Sequence, residues 1–317
     1  MSSAFEKYPP LIKKRNFRFR RDIWRNRYLY YLLLPGLIWY VIYRYLPMFG
    51  LLIAFKDFSF SRGVFGSNWA GLRYFEFIFF RHREFYQILT NTFLINFYRL
   101  VFYFPVPIII ALMLNEVQST KFKRIVQTTI YLPHFVSWVI FGGIAIQFLS
   151  PSTGVVNAFL GLFGVEPIFF LVRPNLFRGI VVATDIWKSA GWGTILYLAA
   201  LTGVDPELYD AAYIDGANRW QQLWNVTLPS ISGTIIVILL LNIGNILDVG
   251  FEQIYVLYNP TVYRVGDVIS TYVYRVGIGN ARFSLTTAIG LFQSLVGLVM
   301  ISTCNYISRR ALGKSIW

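Results

Sequence analysis

Six long apolar runs order this chain, at about 29–54, 87–114, 125–149, 178–203, 230–256 and 285–307. Crossing a hydrocarbon layer takes roughly 20 apolar residues of helix, and each run is long enough. Lipid offers no partner to a free backbone amide, so all six are predicted to be helices. The predicted fold is an all-α, polytopic bundle of six transmembrane helices. Pro35, Pro47, Pro105, Pro107 and Pro133 fall within or at the ends of these runs and predict kinks that neighbouring helices must support. Residues 57–86, with Trp69, Tyr74, Phe75, Phe77, Phe79 and Phe80, predict interfacial helices or a lid, or equally an aromatic belt at a membrane surface.

The sharpest interruption in the apolar pattern is YDAAYIDGANRWQQLWNVTLP, residues 209–229, between the fourth and fifth runs. Asp205-Pro206 is a helix start, with Asp as the capping residue and Pro at the first helical position. A short helix is predicted over 206–214. Asp215-Gly216 ends it, since glycine tolerates the left-handed turn found at helix ends. A second short helix follows from Ala217, with Trp220, Leu223 and Trp224 on one face. Leu228-Pro229 closes the loop and opens the fifth run. An apolar face presented by so polar a hairpin needs a partner.

Composition agrees with the membrane reading: 56% of the 317 residues are hydrophobic and 14% charged, against about 25% charged in soluble domains. The net charge of +14 raises nucleic-acid binding, but its placement argues otherwise. Nine basic residues precede the first run, which suits a cytoplasmic anchor on anionic lipid. With the N-terminus inside, the inner segments hold sixteen Lys and Arg and the outer ones ten. Both termini are therefore expected in the cytoplasm, and 204–229 on the cytoplasmic face. The length of the basic flank and of the first run predicts an uncleaved span rather than a secretory leader. Residues 1–27 read as a basic cytoplasmic segment and 28–317 as one membrane domain, without an internal repeat.

The hairpin carries a resemblance. Asp210-Ala211-Ala212, Asp215-Gly216-Ala217 and Leu228-Pro229 match, in spacing, the cytoplasmic EAA loop of permease subunits in binding-protein-dependent ABC importers. The departure is Asp210, where the family usually has Glu. Further stretches, including LPHFVSWVIFGG, DIWKSAGWGTILYLAAL and GFEQIYVLYNPTVYRVGDVISTYVYRVG, are similar to the subgroup importing complex or polymeric sugars, alginate importers among them. The resemblance implies a multi-pass subunit of the cytoplasmic (inner) membrane. It would work with a second homologous permease, two ATPase subunits that bind the ATP and Mg, an extracytoplasmic sugar-binding protein and a saccharide. No cofactor is expected in this chain. Residues Asp210, Ala211, Ala212, Asp215, Gly216, Ala217, Trp220 and Leu223 would couple to the ATPase.

Enzymatic chemistry finds little footing. Cys304 is the single cysteine, and His82 and His134 lie far apart. Gly313-Lys314-Ser315 fails as a phosphate loop, because Ser308 stands where the motif needs its first glycine. Ionisable groups within the runs are costly in lipid and point to a bundle interior or cavity. These are Arg44, Arg99, Asp185, Lys188, Asp248 and Glu252. One reading is a saccharide path, with Trp187, Trp192 and Tyr197 stacking on sugar rings, Asn242 and Asn245 bonding hydroxyls, and Arg99 and Lys188 suiting an acidic sugar. The other is internal pairing, such as Asp185 with Lys188 three residues on, or polar glue between helices. Two rival classes remain open: a secondary-active sugar transporter and a membrane-bound polysaccharide-processing enzyme.

Overall fold

The computed structural model describes residues 24–313, and the side chains of all of these except residues 311 and 312. Most of the basic N-terminal segment and residues 314–317 lie outside the described residues. Packing divides the chain into two units, 1–52 and 53–317. This boundary falls inside the first helix and is a different division from the charge boundary at residue 27. In the first unit, α1 begins its course from Arg27 to Phe55. It is α-helical to Tyr40, passes a π-turn at Val41–Tyr45, and tightens to a 3-10 helix from Leu46.

In the second unit, the aromatic segment that follows α1 opens with a two-stranded antiparallel hairpin, β1 (Lys56–Asp57) against β2 (Asn68–Trp69), with Lys56 opposite Trp69. The expected all-α fold thus carries one small ribbon among the described residues. Then come α2 (Arg83–Glu116), α3 (Thr120–Phe135), α4 (Trp138–Phe148), α5 (Pro174–Thr202), α6 (Pro206–Ile214), α7 (Arg219–Gly244), α8 (Phe251–Leu257) and α9 (Phe283–Leu312).

Among the described residues, four helices, α1, α2, α7 and the α9 stretch, are long and apolar enough to cross a membrane. The count is five if α3 and α4 are one span bent by 104°. α5 is as long, 29 residues, but more polar, and its position explains why. It packs against α2, α3 and α7 and buries Phe177, Val181, Lys188, Thr194, Tyr197 and Leu201. A helix surrounded by protein can carry polar side chains that a lipid-facing helix cannot. Contact is close enough at Gly191 that a Cβ there would sit 2.0 Å from the Ile130 carbonyl oxygen of α3, so glycine is required for this crossing.

Two expected spans differ from the sequence reading. The third run, 125–149, breaks at Val136–Ser137 between α3 and α4. The fifth, 230–256, stops at Gly244 and resumes as α8 at Phe251. Residues 245–250 are unwound, and Gly250 takes φ +79°. The second hairpin helix is also not separate. α7 runs unbroken from Arg219 into the fifth span, taking up Pro229 after a π-turn at Leu223–Thr227.

Candidate functional site

Unwound backbone inside a bundle must find donors for its carbonyls or line a cavity. At 245–250 it does both. Asn96 Nδ2 donates to Ile246 O at 2.7 Å and Gln293 Nε2 to Leu247 O at 2.8 Å. Arg99 Nη1 donates to Val249 O at 2.5 Å, and its Nη2 to Gln253 Oε1. The third guanidinium nitrogen, Nε, lies 3.1 Å from Asp185 Oδ2, with the two side chains 16% and 15% exposed. Asp185 also accepts from Ser189 Oγ, and Gln253 Nε2 donates to Val181 O and Thr184 Oγ1. A single arginine near the middle of α2 therefore fastens the break in the fifth span to α5.

The break in the third span is fastened by the other mid-helix cation. Lys188 Nζ donates to the carbonyls of Pro133 (3.2 Å), His134 (2.9 Å) and Val136 (2.5 Å). An ammonium has three donors, and all three are used. The residue is 5% exposed, with the Trp138 ring 5.4 Å from its nitrogen. The expected ridge pair of Asp185 with Lys188 does not form: Asp185 faces Arg99, whereas Lys188 faces the α3–α4 turn. Nor do Asp248 and Glu252 share a helical turn. Asp248 sits in the unwound segment, where its Oδ1 accepts from the Gly250 amide, and Glu252 begins α8.

Five of the residues singled out from the sequence come together. Arg99, Asp185, Asn242, Asn245 and Asp248 line one cavity of about 150 Å³ beside the break. Trp187, Lys188, Trp192 and Glu252 do not line it. Trp187 packs with Phe141 and Phe148, and Trp192 stacks flat on His134 at 4.6 Å. Asn96 and Tyr103 line the cavity as well. Their signal in the sequence is faint: Asn96 precedes Arg99 by one helical turn, and Tyr103 follows it by one. Sites for organic ligands usually span about 300–1,000 Å³, so this cavity alone does not enclose an oligosaccharide.

The hairpin is built by local bonds. Asp205 caps α6, accepting from the Glu207 amide at 3.0 Å. At the other end the Gly216 amide donates to Tyr213 O (3.0 Å) and the Ala217 amide to Ala212 O (2.9 Å). These are the two bonds of a Schellman closure, which needs a left-handed residue at its centre. Gly216 supplies it at φ +80°, with open space around the position, so conformation rather than room demands glycine. Asn218 and Gln221 then form a reciprocal capping box that starts α7. Tyr209 Oη lies 3.0 Å from Thr227 Oγ1, clipping the two arms together, and Arg219 meets Glu116 at the end of α2 at 3.4 Å. Ala212, Ala217 and Leu223 are half-buried inside the hairpin, whereas Asp210, Ala211 and Asp215 are exposed. Tyr213 (76% exposed), Ile214 (84%), Trp220 (69%) and Trp224 (64%) form an uncovered apolar surface. Tyr213 and Ile214 were missed by the sequence reading, which followed the face of the second helix only.

A helical membrane bundle with two strapped helix breaks and, at one end, a closed hairpin with an uncovered apolar surface is the architecture of an importer permease. The chain belongs to the family of binding-protein-dependent transport system inner membrane components, whose model matches residues 104–313. It is 45% identical over 302 residues to Protein LplB of Bacillus subtilis, covering 95% of each chain. It is 42% identical to the polygalacturonan/rhamnogalacturonan transport system permease protein YteP of the same organism, covering 94% of this chain and 92% of that one. Its fold matches a chain of a bacterial ABC transporter involved in import of the acidic polysaccharide alginate, with TM-score 0.86 and 45% identity over 93% of this chain and 99% of that one. A second such structure, in complex with an alginate pentasaccharide-bound periplasmic protein, matches equally, at TM-score 0.86 and 44% identity over 94% and 100% of the two chains. The chain is thus a multi-pass permease subunit of an ABC importer that works with a binding protein. Its role is transport, not covalent chemistry.

Proposed function

We propose that this chain forms half of the translocation path of an ATP-driven importer for oligo- or polysaccharides, acidic ones such as alginate or polygalacturonan in particular. Substrate class is supported by relatives of that named specificity at 42–45% identity over more than nine-tenths of the chain. The other half of the path comes from a second homologous permease, in keeping with a cavity too small to hold a saccharide by itself. Two ATPase subunits bind the ATP and Mg, and an extracytoplasmic sugar-binding protein delivers the load. α5 counts as a crossing in this reading, which gives six spans and both termini in the cytoplasm. Asn242, Asn245, Asp248 and the Arg99–Asp185 pair line the path. Lys188 holds the bend of the third span, and Trp187 and Trp192 hold helices around it.

The observation that carries the reading is the hairpin at 204–229: rigidly closed, uncovered, and continuous with a spanning helix. Its exposed Tyr213, Ile214, Trp220 and Trp224 are the docking surface for an ATPase. Nucleotide binding then shifts the permease between its access states through differential contacts there. Gly216→Val tests this, since a β-branched residue is strained at φ +80°. The spans should form and the complex insert, but stimulation of ATPase activity by loaded binding protein should fall at least tenfold. Full stimulation and full uptake in that variant would reduce the hairpin to a connection.

A further inference from the structure

A second, larger cleft lies at the opposite end of the bundle from the hairpin. α2 and α9 both begin beside it and run away from it, and the far end of α2 is where Glu116 meets Arg219 of the hairpin. Its volume is about 680 Å³, within the range of roughly 300–1,000 Å³ usual for sites that hold organic ligands. Arg73, Arg81 and Arg282 lie in its wall with Phe77 and a single carboxylate, Glu76. Arg73 is already held by Asp57 and Tyr74. Arg81 and Arg282 are exposed and have no carboxylate partner among the described residues.

The start of α9 biases the cleft further toward anions, and two neighbouring residues fix where its charge comes from. The 30-residue α9 starts in the wall with no side-chain cap and no acid in its first turn, so its leading amides add positive potential. Ala281, just before it, holds φ +55°, a left-handed conformation unusual for a residue with a Cβ, and this turn carries Arg282 to the rim. Burial, reinforced by the Arg282 charge and opposed by Glu84, keeps the neighbouring His82 imidazole below its ordinary value. At neutral pH the positive charge therefore comes from the arginines and not from His82.

We propose that this cleft binds a uronate-bearing stretch of the transported saccharide, with Arg81 and Arg282 on its carboxylates, Phe77 against a ring face and Glu76 accepting from its hydroxyls. The assignment rests on the acidic-saccharide reading above. Guanidinium forks match carboxylates. Glu76 separates a sugar from a bare phosphate, because a ligand with hydroxyl donors gains from a carboxylate beside two cations and a bare phosphate does not. The concavity favours a chain-like ligand over the acidic surface of a globular partner.

The test uses the complete transporter in phosphatidylcholine nanodiscs without binding protein, with equilibrium dialysis against alginate pentasaccharide and, as the neutral control, maltopentaose. Wild type should retain the acidic probe over the neutral one. Arg81→Gln/Arg282→Gln should weaken that retention at least tenfold, and Arg81→Lys/Arg282→Lys should recover part of it, with matched thermal midpoints throughout. No preferential retention by wild type, or equal retention by the double Gln variant, overturns the assignment. Loss of affinity for unloaded binding protein with pentasaccharide retention intact would make the cleft a protein dock, and overturns it too. Uptake of the pentasaccharide through the binding protein is measured separately. Its absence would sink the substrate reading, whereas the dialysis decides the cleft.

Discussion

At the scale of single residues, the ion pair of Arg99 with Asp185 is the best example of a charge whose reason is internal. Burying two charges is costly, and Val249 O and Gln253 offset that cost by accepting from the two Nη atoms of Arg99. Breaking such a pair by removing one partner typically costs about 3–5 kcal/mol, whereas replacing both by apolar residues is often close to neutral. Arg99→Met and Asp185→Leu should therefore each lower the thermal midpoint of the purified complex, and the double variant should lie above the sum of the two losses. Strict additivity in that cycle would mean the two side chains act independently. Uptake supplies a second reading: the double variant should regain stability without regaining transport if both groups also face the saccharide.

At the scale of elements, the two helix breaks and the hairpin differ in how far their bonds reach. Apart from the Arg219–Glu116 tie to α2, the bonds that close the hairpin join residues between Asp205 and Thr227, so Asp205-Pro206 and Asp215-Gly216 could be read from neighbouring letters. The break in the fifth span was not legible, whereas Pro133 predicted a kink where the third span bends by 104°. Residues 245–250 contain Ile246, Leu247 and Val249 and continue an apolar run, while the donors that permit unwinding, Asn96, Arg99 and Gln293, stand far off in sequence. The same holds for Lys188, whose three acceptors lie more than fifty residues earlier. Its charge suggested an anion site or a pair with Asp185, and the structure gives it a bend to hold. Lys188→Met should leave three carbonyls without their donor, at roughly 1–3 kcal/mol each. The yield of assembled complex should fall sharply in size-exclusion chromatography, and whatever assembles should keep the wild-type ratio of acidic to neutral uptake. A changed ratio with full assembly would return Lys188 to the path.

At the scale of the whole molecule, the long spans were legible because each exceeds what lipid requires, and α5 can be more polar because it packs against α2, α3 and α7 and buries groups such as Thr184, Lys188 and Thr194. Orientation is testable in a Cys304→Ser background with an impermeant thiol reagent outside intact cells. Phe65→Cys and Val165→Cys, at exposed positions that the proposed topology puts outside, should label, and Asn218→Cys should not. Labelling of residue 218 would invert the topology and remove the hairpin from the ATPase side. The unbroken helix α7 has a further consequence. It joins Arg219 to Gly244 over 26 residues, about 39 Å at 1.5 Å per residue, with the docking hairpin at one end and Asn242 and Asn245 at the other. A rod has no preferred direction of travel. If, as proposed, nucleotide displaces the hairpin end, a ligand seated against those asparagines would displace the hairpin in return, each changing the other's affinity by one common factor. The empty and the loaded path would then be distinguishable from the cytoplasm, by how tightly the ATPase holds on.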